Sequence, residues 1–245
     1  MTDGAAERRR WRWQDSIVVA IAWRYLAHSA MVAIALWNER RPAPTLPDAV
    51  LAVVPKVIWI ANWNFWLWLA AWVPLAIWLL IRDRRAGVSF LWLGGWISLV
   101  RALTIPLTGL GPVEGPDVNA GASTEALVAA FWAIVNPISA LTTDAPHLWL
   151  TKDLFFSGHV ATTFLLWLYC RKLRWLGPLA LVAHVATTAV VLLAHLHYTI
   201  DLVGAWAITF AAYVLYEGWT GRTGGTPVQR SSVEKSSVRF TGFVT

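Results

Sequence analysis

Charged residues are scarce in this chain. Asp, Glu, Lys and Arg make up 14% of its 245 residues, whereas 57% are hydrophobic. An ordinary soluble domain is about 25% charged. The composition therefore excludes that class and favours an integral membrane protein.

Cysteine is almost absent, and acidic residues are outnumbered by basic ones. Cys170 is the single cysteine, which excludes an internal disulfide and a cysteine-based metal site. The 20 basic residues against 14 acidic ones could indicate a nucleic-acid partner. Membrane proteins, however, concentrate Lys and Arg in their cytoplasmic loops, so we expect no nucleic acid. The 18 tryptophans also suit a membrane protein, since tryptophan favours the membrane–water interface.

Long apolar segments account for most of the chain. A membrane-spanning helix needs about 20 apolar residues. Six segments meet or approach this length: 16–37, 63–81, 87–107, 156–170, 176–195 and 197–216. They predict an all-α fold, a six-helix transmembrane bundle over residues 16–217. A basic N-terminus (1–15) precedes it, and a polar, flexible tail (218–245) follows it.

The basic residues indicate the orientation of this bundle. They cluster at one end of the six-helix zigzag, which we expect to be cytoplasmic together with both chain termini. The clusters are Arg8, Arg9, Arg10 and Arg12; Arg82, Arg84 and Arg85; Arg171, Lys172 and Arg174; and Arg222, Arg230, Lys235 and Arg239. Arg40, Arg41 and Lys56 are the exceptions to this pattern.

Three polar groups lie towards the opposite, non-cytoplasmic ends of the segments. Polar residues at membrane depth are costly and commonly mark a functional site. His197 and Asp201 are four residues apart and share a helix face. Asp201 could hold one imidazole nitrogen and leave the other as a nucleophile. The groups are Arg101; Ser157, Gly158 and His159; and His195, His197 and Asp201.

The "SGH" string predicts a helix start that could hold a phosphate. Ser157 suits an N-cap, Gly158 permits close approach, and the free N–H groups of a helix N-terminus bind phosphates. Arg101 would add a fixed positive charge. The histidines with Asp201 could alternatively be zinc ligands.

Two of these stretches resemble a known family. "KDLFFSGH" and "HLHYTIDLVGAW" resemble the third and fourth signature motifs of the sphingomyelin synthases, and "RALTIPLTGLGP" resembles the end of the second. These enzymes lie within the phosphatidic acid phosphatase type 2 (PAP2) superfamily. The resemblance implies that His197 is the nucleophile, that Asp201 supports it and that His159 is the second catalytic histidine. Two departures occur: Thr151-Lys152 replaces a Cys-Gly pair, and Leu196 replaces an acidic residue.

The resemblance implies a lipid phosphotransferase that needs no metal or other cofactor. A glycerophospholipid would donate its phosphoryl headgroup through a phosphohistidine, and ceramide, diacylglycerol or water would accept it. A PAP2-type lipid phosphate phosphatase is one alternative. The phosphatases of the superfamily carry a Lys-x6-Arg-Pro motif, however, which is absent before His159, and Val191 stands where they have an arginine. A non-catalytic lipid-binding or lipid-flipping protein is another alternative, although it would not require His159, His197 and Asp201.

Other polar residues could surround this site. We expect Asp153 nearest to it, with His195, Tyr198, Lys152 and Glu125 as further candidates. Glu125 could instead cap a helix over residues 123–135 at the outer interface, and Lys152 could instead anchor the chain at the interface. Arg24 and His28 share a face of the first helix. They could line the substrate cavity, but the favoured interpretation is an interior polar bridge or a snorkelling arginine.

Overall fold

The computed structural model describes residues 16–220, and within them every regular element is a helix. There are nine: α1 (Ile17–Glu39), α2 (Ile58–Arg82), α3 (Arg84–Thr108), α4 (Thr124–Val135), α5 (Pro137–Thr142), α6 (Ala145–Trp149), α7 (Gly158–Cys170), α8 (Leu176–Leu193) and α9 (Thr199–Thr220). The all-α prediction is thus confirmed for this range. The predicted N-terminus, nearly all of the predicted tail and the basic clusters within them lie outside the described residues.

Five of the helices are long and apolar enough to cross a membrane: α1, α2, α3, α8 and α9. They coincide with five of the six predicted segments. Their length and composition support an integral membrane protein. α9 continues to Thr220, three residues beyond the predicted end of the bundle.

The remaining predicted segment, 156–170, forms only a short helix. α7 has 13 residues, which gives about 20 Å at 1.5 Å per residue against a hydrocarbon core of about 30 Å. A count of six full spans is therefore not confirmed. α7 nevertheless packs against α2, α3, α8 and α9, so it occupies the centre of the bundle.

Short polar residues define where the helices begin and end. Ser16 caps α1 by accepting a hydrogen bond from Val19 N. Asp83 ends α2 and caps α3 through Ala86 N. Gly109 ends α3 with φ 67°, a conformation that favours glycine. Such caps satisfy terminal backbone groups that would otherwise lack partners.

The connection between α3 and α7 folds against α1. Gly121 N donates to Arg40 O at the end of α1. The buried residues Leu127, Ala130 and Ile134 of α4 pack on a cluster that includes Met31 and Ala35. The predicted helix at 123–135 is present with Ser123 as its N-cap. However, it lies lengthwise along α1, because its apolar stripe matches the apolar face of that helix.

Candidate active site

The predicted nucleophile and its carboxylate meet at the start of α9. His197 Nδ1 lies 3.3 Å from Asp201 Oδ2. Asp201 is fully buried, and its two oxygens also accept from the backbone N–H groups of Tyr198 and Phe155. These bonds fix the carboxylate in place. It can therefore orient the imidazole and leave Nε2 of His197 for chemistry.

His159 completes the pair of histidines. It lies in the first turn of α7, where Ser157 accepts from Val160 N as the predicted N-cap. Its ring centroid is 6.3 Å from that of His197 and 4.8 Å from that of Trp68 on α2. The structure thus brings together the two histidines that the sequence motifs singled out.

Both histidines line one cavity of about 700 Å³. Asp153 and His195 also line it, as predicted. The other polar lining residues come from segments distant along the chain, and no sequence motif marked them as site residues. These are Lys56, Asn62, Asn64, Glu114, Asp144, His147 and Thr151.

Arg101 lies behind the wall of this cavity. Its Nη2 donates to Asp153 Oδ1 at 2.8 Å and its Nε donates to Phe156 O at 2.8 Å. A Cβ on Gly158 would lie 2.5 Å from Arg101 Nη1, so a side chain there would displace the guanidinium from its present position. The cavity lining does not include Arg101, Ser157 or Gly158. Phosphate binding by these three residues therefore stays a prediction.

His195 joins an ion-pair group at the rim. Its Nδ1 pairs with Glu114, its Nε2 bonds to Val54 O, and Lys56 Nζ lies 2.6 Å from Glu114 Oε2. Burial would raise the pKa of Glu114, but the hydrogen bonds from Lys56 and His195 outweigh it, so the pKa lies below its ordinary value. This group joins the segment before His197 to the loop before α2.

Tyr198 has a structural position next to the catalytic pair. Burial raises the pKa of its phenol. The hydroxyl therefore remains protonated, bonds to the carbonyls of Gly111 and Pro112, and accepts from Leu46 N. Tyr198 does not line the cavity. It holds two loops against the start of α9.

Two further predicted residues lie away from the chemistry. Lys152 is buried, pairs with Asp117 and donates to Arg41 O at 2.8 Å. Glu125 is exposed in the first turn of α4, where bonds from its own backbone and from Ser123 lower its pKa. Lys152 thus neither anchors the chain at an exposed interface nor lines the cavity, and the position of Glu125 agrees with its capping interpretation.

Arg24 and His28 do not line the cavity either. Arg24 Nη2 donates to Thr162 Oγ1 at 3.3 Å, and its guanidinium lies over Gly94 of α3. Arg24 therefore links α1, α3 and α7, as the interpretation of an interior polar bridge predicts.

No group of three or more His, Cys, Asp or Glu side chains with the arrangement of a metal site occurs among residues 16–220. The zinc alternative therefore gains no support from this part of the chain. His197 and Asp201 instead make a hydrogen-bonded pair.

Similarity to known proteins covers the same motifs. Residues 152–218 match the family model described as PAP2 superfamily C-terminal. Phosphatidylcholine:ceramide cholinephosphotransferase 2 of Homo sapiens is 28% identical over 197 residues, 73% of this chain and 52% of that protein. Phosphatidylcholine:ceramide cholinephosphotransferase 1 of Rattus norvegicus is 28% identical over 202 residues, 76% of this chain and 47% of that protein.

These matches confirm the predicted resemblance to the sphingomyelin synthases within the PAP2 superfamily. Both named relatives are cholinephosphotransferases. The chain spans about half the length of the curated relatives it matches.

Proposed function

We propose that this protein moves the phosphoryl headgroup of a glycerophospholipid to ceramide, diacylglycerol or water. The observation that carries the proposal is the buried His197–Asp201 pair, with the ring of His159 6.3 Å away on the same cavity. A nucleophile, its orienting carboxylate and a second acid–base group are the parts that double displacement needs.

In the first step, Nε2 of His197 attacks phosphorus and forms a P–N bond. The bond from phosphorus to the glycerol oxygen breaks, and protonated His159 gives that oxygen a proton, so diacylglycerol leaves. Asp201 stabilises the positive charge on the phosphorylated ring. In the second step, neutral His159 takes a proton from the acceptor hydroxyl, whose oxygen displaces His197 from phosphorus. The reaction ends with both histidines in their starting states.

The arrangement of the cations supports a diester substrate over the phosphatase alternative. Arg101 is paired with Asp153, and Lys56 is paired with Glu114. A phosphomonoester carries a charge of about −1.5 to −2 at neutral pH and benefits from unpaired cations. A diester carries one negative charge and needs fewer.

The site belongs, in this proposal, to the non-cytoplasmic side of the membrane. Arg101 lies near the end of α3, His159 at the start of α7 and His197 before α9, so all three share one end of the bundle. The described basic clusters before α3 and after α7 lie at the other end, which the positive-inside rule assigns to the cytoplasm.

The test is the capture of a covalent intermediate. Purified protein in detergent is mixed with headgroup-labelled phosphatidylcholine and quenched rapidly. We expect acid-labile, base-stable label on His197 and none in His197→Ala. Asp201→Asn should reduce kcat by about 10²–10⁴-fold through loss of tautomer control. His159→Ala should slow both steps by about 10²–10⁴-fold.

The configuration at phosphorus after the reaction can contradict the proposed mechanism. Double displacement retains configuration at a chiral phosphorus, whereas direct transfer inverts it. Inversion together with an unlabelled enzyme would refute the proposed mechanism. An exposed residue far from the cavity, such as Asp83 changed to Asn, serves as the matched control for Asp201→Asn, and we expect it to retain activity.

A further inference from the structure

The connection from α4 to α6 contains an uninterrupted uncharged stretch. No Asp, Glu, Lys or Arg occurs between Glu125 and Asp144. Several large apolar side chains in this stretch are exposed, among them Val128, Trp132 and Ile138. Such a surface is costly in water but suits contact with lipid chains.

The position of α4 along α1 shows how far this stretch extends from the end of the bundle. Gly121 N bonds to Arg40 O at 2.9 Å, just before α4. Tyr25 Oη donates to Val135 O at 3.0 Å, at the end of α4. Arg40 and Tyr25 are separated along α1 by about 22 Å at 1.5 Å per residue. The chain therefore descends along α1 well below its outer end.

The turn at the lower end satisfies its own backbone groups. Pro137 has no N–H to donate. Asn136 Oδ1 accepts from Ile138 N at 2.9 Å, and Asn136 N donates to Trp132 O at 3.1 Å. With Tyr25 donating to Val135 O, these bonds give Val135 O, Asn136 N and Ile138 N partners at the reversal. Irregular backbone at membrane depth requires such partners.

The returning part of the chain borders the active-site cavity. Asn119 Nδ2 donates to Leu148 O at 2.9 Å, which ties the return to the loop before α4. A side pocket of about 170 Å³ lies between α2 and α5, with Phe65 and Trp66 on α2 and Leu141 and Thr142 on α5. It shares five lining residues with the main cavity: Asn62, Phe65, Asp144, Pro146 and His147.

We infer that residues 124–143 form a re-entrant hairpin in the bilayer. We further infer that the gap between this hairpin and α2 is the lateral portal through which a phospholipid reaches the cavity. The portal, unlike the hairpin, rests on the proposed function. The apolar outer face of the hairpin contacts acyl chains, while Asp144 and His147 meet the headgroup as it passes towards His159.

The depth of the hairpin is measured without reference to activity. Ile138→Cys is labelled with a fluorophore in liposomes that contain phospholipids brominated midway along their chains. Cys170, the native cysteine, is buried and should not react. We expect strong quenching at position 138 and little at a Val118→Cys control in the preceding loop. Equal, weak quenching at both positions would overturn the hairpin.

The portal is tested by bridging it reversibly. In Trp66→Cys/Thr142→Cys, bifunctional thiosulfonates of graded length should join α2 to α5 and abolish turnover of long-chain phosphatidylcholine. A reductant should restore it. A soluble short-chain phosphatidylcholine, which can enter from the aqueous rim, should still react. Each single-cysteine variant treated with the same reagent controls for the bulk of the label.

The outcomes separate the inference from the proposed function. Undiminished long-chain turnover in fully bridged protein would overturn the portal, as would equal loss of both substrates. A second pair, Asn62→Cys/Thr142→Cys, repeats the test if Trp66→Cys does not fold. If the unmodified protein turns over neither lipid, the proposed function and the portal both fail, and the quenching experiment still decides the hairpin.

Discussion

At the scale of single residues, the proposed catalytic pair His197 and Asp201 is held more firmly than its sequence pattern indicates. The four-residue spacing of His197 and Asp201 predicted one contact between them. The structure adds backbone N–H bonds to both oxygens of Asp201, and Asp201 O accepts from Ser157 N. α7 and α9 are therefore joined directly beside the two histidines.

Arg101 has a comparable role on the other side of α7. Its guanidinium bonds to both Asp153 and Phe156 O and lies against Gly158. Because a lysine presents a point charge in place of a fork, it cannot make both bonds in this geometry. We expect Arg101→Lys to lower kcat/KM by about 10–100-fold, the result of losing an interaction of about 1.5–3 kcal/mol with a charged group.

The comparison is with Arg85→Lys, an exposed residue at the opposite end of α3. Turnover of phosphatidylcholine by the two purified variants measures the expected fall in kcat/KM. Full activity in Arg101→Lys would show that the fork is dispensable.

At the scale of elements, a chain of hydrogen bonds joins three helices one turn below His159. Trp206 Nε1 donates to His184 Nε2 at 3.0 Å, and because tryptophan is only a donor, that nitrogen must be the unprotonated one. His184 Nδ1 then donates to Thr163 Oγ1 at 3.0 Å. Thr163 in turn donates to the carbonyl of His159 at 3.2 Å.

This chain should position His159 relative to His197. Thr163→Val removes the hydroxyl and leaves His184 without its acceptor, at a cost of about 1–3 kcal/mol in stability. Since a displacement of about 1 Å at a catalytic group costs about 10²-fold, we expect kcat to fall about 10-fold or more while KM changes little. Thr163→Ser should retain activity, because it keeps the hydroxyl.

Thr187→Val is the matched control. Thr187 is also buried, on α8, but its hydroxyl has no hydrogen-bond partner among the described residues. The same change there should leave both kcat and thermal stability near their original values. Equal effects at positions 163 and 187 would mean that the substitution acts through packing alone.

The helices that could be predicted from the sequence are those whose segments are the most hydrophobic. The segments of α1, α2, α3, α8 and α9 are long apolar runs, and such runs specify a helix without reference to neighbours. The segment of α7 is equally apolar, and its start at Gly158 agrees with the predicted Ser157 cap. Residues 152–157, just before it, are held by Asp117, Glu39 and Asp201. Those contacts come from distant parts of the chain. No local pattern could predict them.

At the scale of the whole molecule, the described basic clusters and the proposed catalytic groups lie at opposite ends of the bundle. The clusters are Arg82, Arg84 and Arg85, and Arg171, Lys172 and Arg174. We expect Val118→Cys, in the loop before α4, to react with an impermeant maleimide in intact cells. Lys172→Cys, between α7 and α8, should react only after the membrane is permeabilised. Both positions are exposed, so a difference reports sidedness. The reverse labelling would invert the orientation and move the site to the cytoplasmic side.

The charge distribution of the cavity predicts which phospholipid the protein prefers. Lys56 is the sole Lys or Arg among the described lining residues, and it is paired with Glu114. Asp144 lines the same cavity, and its carboxylate has no ion-pair partner among residues 16–220, which favours a cationic headgroup. A phosphomonoester, with a charge of about −1.5 to −2, would meet uncompensated repulsion there.

We therefore expect phosphatidylcholine and phosphatidylethanolamine to react at least about 10-fold faster than phosphatidic acid, a difference that corresponds to about 1.4 kcal/mol. Diacylglycerol release from each lipid by purified protein in detergent measures it. Asp144→Asn should reduce this difference in rate, because turnover of the two zwitterionic lipids should become slower. Glu125 is exposed and lies away from the cavity, so Glu125→Gln should leave the difference unchanged. If phosphatidic acid proves the best substrate by tenfold, the protein is a lipid phosphate phosphatase. Paired cations such as Arg101 must then separate from their carboxylates when the substrate binds.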